Sequence, residues 1–217
     1  SSYEIRAALA AEVGIALATK FDSIVLKNFV KAARADSNLT SLPDAKGTVL
    51  TGGATSLGTD IPKFVSAVYQ AAEIMDNNSV TGERNMFIPV SMYYKLFRAG
   101  SDSPVADMIS RDLGGNGSIQ NAQVTKLAGF NVIPTANMSQ ADETSGDNED
   151  SSLNLDYQNV LAVCTTPAAV ATARIQNITS SVDWSPMKLG WILCSRYSSG
   201  TSTLRPECAV EISSATD

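Results

Sequence analysis

Residues 119–135 read IQNAQVTKLAGFNVIPT. Ile119 to Leu127 is followed by the break Ala128-Gly129 and then by Phe130-Asn131-Val132-Ile133-Pro134. Two apolar-rich runs on either side of a short turn signal predict a hairpin or strand pair turning at Gly129. Upstream, Arg84 to Val90 (RNMFIPV) reads as a short buried strand, and Ser91 opens a helix carrying Tyr94, Leu96 and Phe97 that ends by Gly100. Asp60 caps a further helix with Pro62 in its first turn, running through Phe64, Val65, Val68, Ala72 and Ile74 to Met75. Between Asp36 and Asp60, abundant Ser, Thr and Gly with Pro43 and Gly52-Gly53 predict loop.

Residues 1 to about 35 lack proline and carry Ile5, Leu9, Val13, Ala16, Leu17, Ile24 and Val25 at helical spacing. Ser1 and Glu4 have capping-box spacing, and Lys27, Lys31 and Arg34 lie in the last turns, where cations suit the helix dipole. A helix of ~35 residues is ~50 Å long, a strut rather than an ordinary globular helix. Leu17 is expected in its seam with the late strands, so Leu17→Asp is expected to cost several kcal/mol.

Downstream, Val160 to Cys164 (VLAVC) reads as a buried strand, and Val170 to Ile178 alternates. Lys188 to Tyr197 and Thr203 to Ile212 follow as strands joined at Ser198-Ser199-Gly200, with Pro206 implying an edge or bulge position. A long helix, a mixed middle and late strands that return to the first helix define an α+β fold.

The chain has 217 residues, 44% of them hydrophobic and 18% charged, enough to build a real core. Sixteen Lys plus Arg against 22 Asp plus Glu give a net charge of -6, which argues against a nucleic-acid surface of clustered bases. Six of the acids (Asp142, Glu143, Asp147, Glu149, Asp150 and Asp156) fall between Ser139 and Asp156, where there is no Lys or Arg. Removing them leaves 16 acids against 16 bases, so the net charge resides in one segment, expected as a solvated surface excursion of low order. It lacks the spacing of a calcium loop. No apolar run reaches the ~18 residues of a membrane helix.

There is no histidine, which removes Ser-His-Asp and Cys-His triads and His-based zinc sites. Cys164, Cys194 and Cys208 are too widely spaced for a CxxC pair and are expected as reduced, mostly buried thiols. Gly52-Gly53 and Gly114-Gly115-Asn116-Gly117-Ser118 match no phosphate-binding motif and read as turns. Ser195 and Arg196 have no histidine partner, and the carboxylate pairs Asp107/Asp112 and Glu207/Glu211 are of a kind any acidic chain supplies. Trp184 and Trp191, flanking the late strands, read as core or inter-subunit packing. The reading is therefore not an enzyme, with no catalytic, cofactor-binding or metal residues and no cofactor.

Three stretches carry a family resemblance. Gly117-Ser118-Ile119, with Leu127 to Pro134, resembles a segment of tailed-phage major capsid proteins. Gly200 to Val210, containing Leu204-Arg205-Pro206-Glu207, resembles the closing strand of short-tailed podovirus capsid proteins, cyanophage ones included. The order of long helix, Asp60 helix and Met86–Val90 strand is similar too. The resemblance covers roughly 1–212 and implies a Hong Kong 97-like fold, with a long spine helix, peripheral-domain strands and an axial-domain sheet. It implies a spine helix at 1–35, an axial domain at 36–160 containing the acidic loop 139–156, and a return to axial core and peripheral strands at 161–217. The family's N-terminal arm and extended loop have no counterpart in this sequence, and truncation is the expectation.

The implied function is a structural protein of the virion, self-assembling as hexamers and pentamers into an icosahedral shell around double-stranded DNA. Scaffolding, portal and decoration proteins would be its partners, no membrane would be involved, and assembly would take place in the host bacterial cytoplasm. A nanocompartment shell protein of the same fold, or a histidine-free enzyme using carboxylates, are the alternatives. A neighbouring cargo gene would favour the first and convergent, strongly shifted acids the second.

Overall fold

The computed structural model describes residues 2–52, 57–98, 126–146, 148 and 150–214. Its first element, α1 (Ser2–Ala33), is the expected strut, uninterrupted by proline and closing with Lys31 in its last turn. Among residues 7–33, whose side chains are described, burial is full only towards the C-terminal end, at Leu26, Asn28, Phe29, Val30, Ala32 and Ala33. Leu17 is half-buried, so the expectation of a sealed seam there is corrected: the helix is anchored towards its C-terminus and largely bare over residues 7–20. Gly47 ends the turn that follows, its N–H donating to the Ala35 carbonyl at 2.9 Å. A Cβ on Gly47 would lie 2.2 Å from the Ala32 carbonyl oxygen, so only glycine permits this approach.

The strands β1 (Thr48–Thr51), β2 (Asn85–Pro89), β3 (Lys126–Leu127), β4 (Phe130–Thr135), β5 (Val160–Thr165) and β8 (Ala209–Ser213) form one mixed sheet in the order β1-β8-β5-β2-β4-β3. β1 lies where the sequence predicted only loop. β3 and β4 turn through Ala128 and Gly129, both at positive φ, in a two-residue connection. The expected turn is thus present, while its upstream run, residues 119–125, lies outside the described residues. Helix α2 (Ile61–Asn77) starts where Asp60 accepts from the Lys63 N–H at 3.3 Å, and buries Phe64, Val68, Ala71 and Met75. Helix α3 (Val90–Arg98) follows β2 directly and buries Met92, Tyr93 and Leu96. Phe29 of α1 stacks on Phe87 of β2, with ring centroids 5.5 Å apart. None of the described helices is long and apolar enough to cross a membrane.

Strands β6 (Val170–Ser185) and β7 (Gly190–Thr203) form a separate antiparallel ribbon. The expected break at Ser198-Ser199-Gly200 is corrected: all three pair with β6, and the chain reverses at residues 186–189 instead. Irregular register between Arg174 and Thr179 absorbs the Ser-rich stretch. Pro206 is likewise not in a strand. It opens a short 3₁₀ turn, Pro206–Cys208, where its missing N–H costs nothing, and the last strand starts only at Ala209.

One ion pair ties the strut to the sheet. Glu211, wholly buried on β8, receives two hydrogen bonds from Arg34, Nε to Oε2 at 2.6 Å and Nη2 to Oε1 at 2.7 Å. The third arm, Nη1, donates to the Asp156 carbonyl at 2.7 Å. The hydrogen bond to Glu211 raises the Arg34 pKa despite partial burial, so the guanidinium stays charged. Removing one partner strands a buried carboxylate. Arg34→Met should therefore destabilise the protein by about 3–5 kcal/mol in denaturant titration, and adding Glu211→Leu should restore most of that loss.

Candidate functional site: the assembly surfaces

The residues weighed as chemical candidates do not converge. Glu211 is consumed by Arg34, whereas Glu207 accepts from Arg205 Nε at 2.7 Å, so the two carboxylates serve separate partners. Ser195 Oγ shares a 2.9 Å hydrogen bond with Ser180 Oγ across the ribbon. Asp107, Asp112 and the 114–118 glycine run lie outside the described residues, as does Gly53. Among the described residues, no group of three or more His, Cys, Asp or Glu could hold a metal ion.

The acidic segment differs most from expectation. Asp147 and Glu149 lie outside the described residues; the rest of the segment is a folded excursion between β4 and β5, not a loosely solvated one. Asp142 bridges Asp156, the Glu143 N–H donates to the Leu155 carbonyl at 3.1 Å, and the Tyr157 N–H donates to that of Ala141 at 3.1 Å. Asp150 caps a short turn, Ser151–Leu153, by accepting from the Ser152 N–H at 2.9 Å. Leu153 and Tyr157 are buried, and the Tyr157 hydroxyl donates to the Leu153 carbonyl at 2.8 Å.

The excursion is fastened to α1. Glu143 accepts from Lys27 Nζ at 2.5 Å, from Ser139 Oγ at 2.5 Å and from Asn148 Nδ2 at 3.0 Å. Lys31 Nζ donates to Ser152 Oγ at 2.6 Å. Burial acts to raise the Glu143 pKa, but the hydrogen bonds from Lys27, Ser139 and Asn148 and the Lys27 charge outweigh it, drawing the carboxyl down to about 2. Part of the net charge is thus neutralised within the chain, which corrects the picture of a uniformly repulsive loop.

The largely bare surface is the arm formed by α1 and the ribbon. Phe21 meets Tyr197 edge-on at 5.8 Å, placing one ribbon face on the helix. Leu193, Ser195 and Tyr197 on that face are half-buried, and the intervening Ile192, Cys194 and Arg196 are exposed. Cys194 is therefore an exposed thiol, contrary to expectation, whereas Cys164 and Cys208 are buried as expected. Trp184 and Trp191 are cross-strand partners in edge contact at 5.4 Å, 50% and 57% exposed, so the core reading of these two is corrected. The sequence marked the pair as flanking the late strands but missed that Pro186, between them, sets the turn.

The described residues form a body built on the six-stranded sheet that carries an exposed arm of helix and ribbon. The fold is that of Hong Kong 97-like phage capsid proteins. Residues 2–213 match the family model described as Gp10A-like major capsid protein, and the chain belongs to that family. The capsid of cyanophage P-SCSP1u is similar with a TM-score of 0.79 and 25% identity, over 98% of this chain and 66% of that one. The mature capsid of bacteriophage PhiM1 gives 0.73 and 18%, over 95% and 64%, and Mycobacterium phage Che8 gives 0.67 and 19%, over 97% and 64%. The last two show the fold alone. The chain thus spans slightly less than two thirds of the length of each of these structures. Sequence comparison with curated proteins finds no match.

Two measurements check this geometry. Glu143 has a depressed folded pKa, so its contribution is complete above the ordinary value of 4.5 and is lost as pH falls towards about 2. Glu143→Gln should flatten the acid side of the stability curve in that window. Thiol labelling of unassembled protein should modify Cys194 quickly and Cys164 and Cys208 only on unfolding.

Proposed function

We propose that this chain is the shell-building part of a tailed-phage major capsid protein, which self-assembles through hexamers and pentamers into an icosahedral shell around double-stranded DNA. The match of residues 2–213 to the major capsid family carries this reading. The bare arm supports it, because a 32-residue helix anchored mainly at one end and a ribbon with exposed faces gain burial from neighbouring copies. Each contact can be weak, since closed symmetry repeats it and makes the set cooperative.

On this reading, residues 1–35 and the ribbon belong to the peripheral domain, the 36–160 segment forms most of the axial domain, and 161–217 returns through both. The chain acts structurally, not as an enzyme. Its partners are further copies of itself, scaffolding and portal proteins, a decoration protein on some shells, and packaged DNA met by non-specific proximity. It is assembled in the host bacterial cytoplasm and ends in the virion.

The test is expression of the full-length protein with its scaffolding protein, followed by light scattering and electron microscopy. Closed icosahedral particles are expected. A population that stays monomeric overturns the reading.

A further inference from the structure

The polar contacts between α1 and the acidic excursion advance together along both segments. Asn137 Nδ2 donates to Asp22 Oδ2 at 3.4 Å, and Lys27 Nζ donates to Glu143 Oε2 at 2.5 Å and to Asn148 Oδ1 at 3.2 Å. Lys31 Nζ then reaches Ser152 Oγ at 2.6 Å, and Arg34 Nη1 reaches the Asp156 carbonyl at 2.7 Å. The excursion therefore follows α1 in the same direction from Asp22 to Arg34, over about 18 Å of helix at 1.5 Å per residue. Both its ends are held by the large sheet, since β4 closes at Thr135 and β5 opens at Val160.

Apolar packing covers less of the same stretch. Burial in the core starts at Leu26, whereas Phe21, Ser23, Ile24 and Val25 are half-buried and Asp22 is exposed. Lys27 sits where the two kinds of contact meet. Its side chain is only 12% exposed, and its ammonium meets three groups of the excursion: the Glu143 carboxylate, the Asn148 amide oxygen and the Tyr157 ring, 5.8 Å from the centroid. A cation so far withdrawn from water is costly without such partners. These partners are themselves fixed. Asn148 Nδ2 donates to Glu143 at 3.0 Å and to Asn154 Oδ1 at 2.8 Å, and the Tyr157 hydroxyl is spent on the Leu153 carbonyl. The excursion thus meets the helix as a stiffened piece, so little freedom is lost in gripping it.

We propose that the acidic excursion is a clamp on α1: it, and not the apolar core, holds residues 22–28 of the strut against the body, and the helix becomes free of the body only ahead of Asp22. This inference stands apart from the shell-subunit reading, because every contact it uses lies within one chain.

The test is native-state hydrogen exchange on unassembled full-length protein, read amide by amide along α1. In the wild type, amides 22–28 are expected to exchange nearly as slowly as amides 29–33, and those of residues 7–20 much faster. Lys27→Met/Lys31→Met keeps most of the side-chain bulk and removes the grip, so amides 22–28 should exchange at least tenfold faster while amides 29–33 and the sheet are unchanged. Glu143→Gln keeps the shape of the excursion and removes its central charge; it should speed the same amides several-fold, and it decides the matter alone if the double variant does not fold. Unchanged protection of amides 22–28 in the variants means that the core holds them, which overturns the clamp. Equal acceleration of amides 22–28, amides 29–33 and the sheet means that excursion and core open as one unit, which also overturns it.

Discussion

The bidentate bond between Arg34 and Glu211 is the constraint on which the arrangement depends. A carboxylate withdrawn wholly from water on a central strand costs several kcal/mol unless its oxygens are filled, and a guanidinium fills both at once. Satisfying Glu211 fixes where the strut must end. The strut's last turn then dictates the rest of that corner: Gly47 must be glycine to pass beneath the Ala32 carbonyl, and β1 enters the sheet immediately afterwards. The remaining donor of Arg34 holds the end of the acidic excursion through the Asp156 carbonyl. Helix, sheet and excursion thus meet on one side chain.

The same corner explains which parts of the fold were legible in the sequence. Signals that act locally read correctly. The unbroken helix to Ala33, the Asp60 cap with Pro62, and the Ala128-Gly129 turn each depend on a few neighbouring residues. Features that depend on distant partners did not read. The four residues of β1 become a strand because they pair with Val210–Ser213, and Glu143 leaves solvent because Lys27, 116 residues earlier, waits for it. At Ser198-Ser199-Gly200 a local turn signal was overridden by the ladder with β6, and next to it the Thr172 and Thr201 hydroxyls share a 3.2 Å hydrogen bond across the strands.

The assembly surface was legible only in part, for a related reason. Composition flagged the tryptophans and the acidic stretch, yet neither periodicity nor charge counting says which side chains a neighbour within the chain will cover. The family resemblance rested on Leu204-Arg205-Pro206-Glu207, and the structure gives that segment a physical role. Pro206 opens the turn into β8 while Arg205 and Glu207 pair across it at 2.7 Å, setting up the strand that carries Glu211.

The topology of the large sheet also bears on biosynthesis. β1 pairs in parallel with β8, so an early strand is completed by one made more than 150 residues later, and Arg34 waits 177 positions for Glu211. During translation the strut and α2 emerge long before the strand that closes their sheet, and closing so long a loop is entropically slow. The body therefore cannot lock on the ribosome until residue 213 is free. A nascent subunit passes through a long interval with an open sheet edge, when premature pairing with another chain competes with folding.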